Sequence, residues 1–146
     1  MIIDNVRSSY NVGSFFRTAD ATGCAMLHIC GIAPYPPNLK LEKTALGTLD
    51  TVPWKYYRNT LDAVNVMKKH GIPVYAVEIT SESEDYRTVT YPNPIALVLG
   101  HELMGVNDFV LDAADKIVHI PMSGTKSSLN VATAAGIMMF EAIRVP

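Results

Sequence analysis

The chain reads as an α/β domain on a mostly parallel sheet with helices on both faces. Two observations predict it. Short β-rich runs alternate with stretches whose apolar residues recur at helical spacing, and the run "IALVLG" (95–100) is apolar without a break. A strand that faces water on one side alternates polar with apolar residues, whereas an unbroken run suits a parallel strand covered on both faces.

The elements follow in order. Residues 1–4 are a short apolar start. In "NVGSFFRTADATG" the residues Val12, Phe15, Phe16 and Ala19 share a helical face, with Asn11 where an N-cap belongs and Gly23 where a stop belongs. "MLHIC" (26–30) is a strand with Gly31 as its exit, and the prolines of "APYPPN" (33–38) imply a loop. "VPWKYYR" (52–58) sets Lys55 and Arg58 among three aromatics. It reads either as an edge segment with mixed surface residues or as a platform on which bases stack. Asn59 caps a second helix to about His70, stopped by Gly71 and Pro73. "VYAVEI" (74–79) and "IALVLG" are strands, "NDFVLDAA" (107–114) is a short helix capped by Asn107 or Asp108, and "KIVHI" (116–120) is a further strand. Residues 129–144 form the last helix.

At 146 residues the chain is expected to be one domain, 1–146, that buries its own core without disulfide or metal staples. Charged residues make up 18% and hydrophobic ones 49%, which leaves the surface short of charge and points to an oligomer. Cys24 and Cys30 form no CxxC pair and stand beside no ligand-spaced histidines, so both read as buried, reduced thiols of a cytoplasmic protein. No apolar run approaches ~18 residues and no basic-then-apolar leader is seen, so neither a membrane span nor a signal peptide is expected. A net charge of -2 argues mildly against a nucleic-acid binder but leaves local basic patches open.

In parallel sheets ligands bind beyond the carboxyl ends of the strands. Three such ends carry polar or glycine-bearing turns: Glu78, Gly100, and the stretch 121–124. Familiar signatures fail nearby. "HELMG" (101–105) has Gly105 where a zinc helix needs its second histidine, and "GTKSS" (124–128) has Thr125 where a phosphate loop needs glycine. There is no GxGxxG. Metal, NTPase and dinucleotide readings are thereby disfavoured. Arg17 projects away from the apolar stripe of its helix and is either a solvated or a functional arginine. Glu102, just past a buried strand, is either a structural cap or a ligand-holding carboxylate. Lys126 reads as a loop charge. In the last helix Asn130, Thr133, Glu141 and Arg144 fall on one narrow stripe, and the rest is apolar. Such a helix must be buried on several sides, which predicts a homodimer.

Three segments taken together, "NVRSSYNVGSFFRTADATG", "ALVLGHELMGV" and "HIPMSGTKSSLNVATAAGIMMFE", resemble motifs one, two and three of the SpoU (TrmH-like) branch of the SPOUT RNA methyltransferases, in order and in spacing. The resemblance implies an S-adenosylmethionine-dependent enzyme that methylates a ribose 2′-hydroxyl of tRNA or rRNA. It also implies a homodimer and an α/β fold whose C-terminal segment is threaded as a deep trefoil knot, a feature no pattern of residues would propose. By the same resemblance Asn11 and Arg17 match motif one, with the arginine at the reacting hydroxyl, Glu102 matches motif two, and Ser128 and Asn130 match motif three. Gly100, Ile120 and Leu129 correspond to positions that cradle the methyl donor, with Met122 and Ser128 beside them and Glu78 completing the pocket. No metal is implied.

The implied chemistry is an in-line displacement of the sulfonium methyl by a ribose oxygen, which requires alignment and loss of a proton. An arginine with a pKa above ~12 is a poor base. Arg17 is therefore expected to bind RNA phosphate and stabilise the developing alkoxide. The chain begins almost at motif one and ends soon after motif three, so no appended RNA-binding domain is expected. The other readings are a non-catalytic module that binds RNA or S-adenosylmethionine, and a small-molecule α/β enzyme.

Overall fold

In the computed structural model, which describes residues 1–144, the adjacent residues Ile2 and Ile3 are both fully buried, yet in different hydrophobic clusters. The same alternation separates Leu97 and Leu99 from Ala96 and Val98. Side chains of successive strand residues point to opposite faces, so a strand apolar at every position needs a core on each side.

The elements run β1 (Ile2–Asp4), α1 (Ser9–Thr22), β2 (Leu27–Cys30), α2 (Leu39–Ala45), β3 (Trp54–Tyr57), α3 (Thr60–Lys69), β4 (Val74–Val77), β5 (Glu84–Asp85), β6 (Ala96–Leu99), α4 (Asp108–Ala113), β7 (Lys116–His119) and α5 (Val131–Ala142). They build one seven-stranded sheet in the order β3-β2-β1-β6-β4-β7-β5, with every pairing parallel. Phe15, Phe16, Leu41 and Met138 belong to the core on the α1, α2 and α5 face, and Val64 and Val110 to the core under α3 and α4.

Side-chain caps set where the helices begin. Asn59, Asn107 and Asn130 accept amide hydrogen bonds from the first turns of α3, α4 and α5, and Gly23 closes α1 in the left-handed region at φ 63°. The cap expected at Asn11 belongs instead to Ser8, whose Oγ accepts from the Asn11 amide at 3.3 Å. The chain is already fixed there, because the Arg7 and Ser8 amides donate to Glu102. Similarly α5 starts at Val131 rather than 129, since the Asn130 side chain accepts from Ala132 and Thr133.

Two elements were not expected. Helix α2 buries only Leu41 and Ala45, too few to print an apolar stripe, and β5 is two acidic residues paired with β7. The segment 52–58 contains β3, the outer strand of the sheet, in keeping with the edge reading. Cys30 is buried as expected, and burial pushes its thiol up to about 12. Cys24 is only half-buried, where its sulfur meets the Met26 carbonyl at 3.4 Å.

Candidate active site

The strand order switches sides between β1 and β6, with all strands parallel: β2 and β3 extend to one side, and β4, β7 and β5 to the other. Loops leaving the carboxyl ends of strands at such a switch point diverge and leave a crevice. A cleft of about 630 Å³ opens on the β4 side of that point, beyond the carboxyl ends of β6, β4 and β7, within the usual range for a small-molecule site. Its wall includes Glu78, Gly100, Glu102, Ile120, Met122, Ser128, Leu129 and Asn130, so residues far apart in the chain share one cavity.

The turn after β6 is shaped by glycine. His101 and Gly105 bridge each other through backbone hydrogen bonds of 3.0 and 2.9 Å, and the His101 ring Nδ1 accepts from the amides of Leu103 and Met104. A Cβ on Gly100 would lie 2.2 Å from the Gly105 carbonyl carbon. Gly105 itself has φ +70°, and a Cβ there would lie 2.2 Å from Glu78 Oε2. Glu78 completes the pocket wall, but both its oxygens are engaged with backbone: Oε1 accepts from Ile79 at 2.9 Å and Oε2 from Val106 at 3.0 Å. It therefore braces the turn of residues 101–105.

Glu102 joins the three segments. Its Oε2 accepts from the Arg7 amide at 3.0 Å, and its Oε1 accepts from the Ser8 amide and from Asn11 Nδ2, both at 2.9 Å. Partial burial by itself would raise this carboxyl, but these donors outweigh it and hold the group at about 2. Asn11 in turn accepts at Oδ1 from Asn130 Nδ2 at 3.1 Å, and the Asn130 Oδ1 caps α5. Asn11, Glu102 and Asn130 thus form one hydrogen-bonded chain along the edge of the cleft. Ser128 is an exposed lining residue in the loop before α5.

Arg17 is not part of this cleft wall. It stands exposed on α1, two turns beyond Tyr10 and on the same face. Conversely, the structure adds residues that sequence reasoning passed over. His101 drew attention only as a failed zinc ligand, yet it folds the turn. His119 lines the cleft and pairs with Ser83 Oγ at 3.0 Å; it lies just short of the strand end that was singled out. Leu99, Val131 and Ala134 supply apolar wall.

The electrostatics of the cleft are one-sided. Two carboxylates, Glu78 and Glu102, and two histidines line it, with no lysine or arginine among the described residues. A phosphate-bearing ligand would find no cation there, whereas a cation with an apolar ring system would meet both a negative edge and an apolar wall. Among the described residues no group of three or more His, Cys, Asp or Glu is placed to hold a metal ion. No described helix is long and apolar enough to cross a membrane.

Comparison with known proteins agrees along the whole length. A tRNA (guanosine(18)-2'-O)-methyltransferase from Thermus thermophilus is 32% identical over 99% of this chain and 73% of its own. A 23S rRNA (guanosine-2'-O-)-methyltransferase from Ralstonia nicotianae is 33% identical over 99% of this chain, which spans only 57% of that protein. The crystal structure of an AdoMet-bound rRNA methyltransferase from Sinorhizobium meliloti superposes with a TM-score of 0.90 at 34% identity, over 97% of this chain and 54% of that one. The family model of the SpoU rRNA methylases matches residues 1–140. With the three segments laced at one cleft and the match running almost end to end, the chain belongs to the SpoU rRNA methylase family.

Proposed function

We propose that the chain transfers the methyl group of S-adenosylmethionine to a ribose 2′-hydroxyl of RNA, tRNA or rRNA, and that it does so as a homodimer. The observation that carries this reading is the charge of the cleft. S-adenosylmethionine supplies an electrophilic methyl on a positively charged sulfonium, and among the described residues the wall offers Glu78 and Glu102 without any lysine or arginine. Leu99, Ile120 and Leu129 offer apolar cover to an adenine, and the backbone around Gly100 and Ile120 offers polar contacts at its edge. The residues present fit the donor.

The protein's part is alignment and charge control. Glu102, ionised at any physiological pH, holds the 7–11 segment against the turn of residues 101–105 and keeps the cleft edge negative. Asn11 and Asn130 fix the loop of residues 123–130 to α1. Arg17 binds RNA phosphate and stabilises the oxygen as it loses its proton. Helix α5 packs on α1 and β6 but leaves Phe140 at 54% and Ile143 at 51% exposure. A second copy docked on that face covers both and brings the Arg17 face of α1 into the assembly. The C-terminal segment follows the deep trefoil path of the family; the tie from Asn130 to Asn11 and the insertion of β6 between β1 and β4 support it. The work is cytoplasmic, where RNA and reduced thiols are found.

The test is incubation with labelled S-adenosylmethionine and total cellular RNA lacking the modification, followed by mapping of 2′-O-methyl sites. Arg17→Ala is expected to keep donor binding and to lose about 10²-fold or more in turnover. Near-normal turnover in that variant overturns its role. No transfer to any RNA by folded, donor-binding protein would leave a non-catalytic binding module as the better reading.

A further inference from the structure

The chemistry above makes no use of an aromatic cluster at the outer edge of the sheet. Tyr35, in the loop leaving β2, lies over Tyr56 with centroids 4.3 Å apart and planes at 31°. It is also 6.2 Å from Trp54. Trp54 and Tyr56 alternate with Lys55 along β3, so both rings lie on the α1 and α2 side and pack against that core. The Tyr56 hydroxyl donates to the Gly31 carbonyl at 2.9 Å, which fixes its ring from beneath. Tyr35 remains 42% exposed. An aromatic ring held by a second ring loses little further freedom when a planar group docks on its open face.

The surroundings indicate the kind of planar group. Arg7, in the loop after β1, and Arg58, directly after β3, are exposed and neither is ion-paired among the described residues. Asn5 and Arg58 line a second cleft of about 430 Å³ on the same carboxyl rim, together with Asp62 and with Asp4, whose oxygens are taken up by the Thr60 hydroxyl and the Asn107 amide. Asn5 also ties the loops together, since its Oδ1 accepts from the Ile32 amide at 3.1 Å, two residues before the Arg7 amide reaches Glu102. Three strand steps separate β3 from β6, which at roughly 4.8 Å per strand is about 14 Å. A short run of nucleotides covers that distance. Free cations spaced along one rim with a pre-stacked ring suit single-stranded nucleic acid; a duplex keeps its base faces to itself.

We propose that Tyr35, backed by Tyr56 and Trp54, is a stacking platform for an unpaired RNA base near the methylated nucleotide, with Arg7 and Arg58 holding the intervening phosphates. This deepens the RNA methyltransferase reading and rests on it for the position of the methylated nucleotide.

The chain has a single tryptophan, and it is in the cluster, so binding can be read without turnover. A single-stranded adenosine dodecamer of RNA, titrated at low salt, should change Trp54 fluorescence. Tyr35→Leu keeps apolar cover over Tyr56 but has no π face; it should weaken dodecamer binding about tenfold and raise KM for RNA with kcat and donor binding little changed. Tyr35→Phe should stay within about twofold of the parent. Equal dodecamer binding by the Leu and Phe variants overturns the platform, as does equal affinity for a blunt RNA duplex. If the dodecamer binds through Tyr35 but no RNA is ever methylated, the platform stands and the enzymatic reading fails. If methylation proceeds with an unchanged KM in Tyr35→Leu, the platform fails and the enzymatic reading stands.

Discussion

Glu102 and His28 show how differently two ionisable side chains can be tied to the same fold. Glu102 is exposed but saturated with donors, and its carboxyl is held at about 2. His28 is 6% exposed beside the Tyr57 hydroxyl, and burial foremost, with Lys55 adding to it, lowers its ring to about 4. A histidine lowered in the folded state takes up its proton first in the unfolded chain. Its contribution is therefore intact above the usual 6.5 and is lost as pH falls from there toward about 4. His28→Gln should remove about 2 kcal/mol of the stability difference between about pH 7 and about pH 5, measured by urea unfolding of parent and variant at both pH values. Glu102→Gln should flatten the acid limb below 4.5 in the same way, since a depressed carboxylate loses its contribution as pH falls toward about 2. At this scale the candidate site was legible as residue types at strand ends, because chemistry-bearing side chains after buried strands are few. Their partners were not. Nothing in the spacing of Asn11 and Asn130 says that their amides meet, because that contact joins residues 119 positions apart.

Among the elements, those with strong local signals were legible and those made by tertiary contact were not. Asn59 and Gly23 announced α3 and α1 through their own capping chemistry. Helix α2 instead owes its place to α1: a Cβ on Gly13 would lie 2.5 Å from Thr44 Cβ and 3.1 Å from the Ala45 amide, so the two helices touch at a bare backbone. Gly13→Ala should cost about 1–3 kcal/mol in urea unfolding despite alanine's better helix propensity, and should leave donor affinity nearly unchanged. Gly100→Ala meets backbone rather than a side chain. It should disrupt the turn of residues 101–105 and weaken donor binding by tenfold or more in calorimetry. Equal effects of the two substitutions on binding would show that the turn does not shape the cleft.

For the whole molecule, the shortage of charge and the apolar last helix both point to a surface meant to be covered. Phe140 on α5 and Ile143 just past its end remain half-exposed, and covering the exposed half of each contributes on the order of 1 kcal/mol per side chain to association. The parent should sediment as a dimer at micromolar concentration and Phe140→Glu as a monomer with most methyl transfer lost; a monomeric parent would refute the assembly. The parallel sheet was legible from "IALVLG", but its strand order was not, since order is fixed by crossovers rather than by any local run. That order has a consequence for synthesis on the ribosome. One side of β1 is paired only by β6, so from the making of Asp4 to that of Ala96 this edge waits without its neighbour. At ordinary elongation rates the wait is on the order of 5 to 20 s, during which the nascent chain carries an open, apolar strand edge. Translation speed and chaperone supply then set how many chains reach the native sheet, because the strand that seals its middle is among the last to be made.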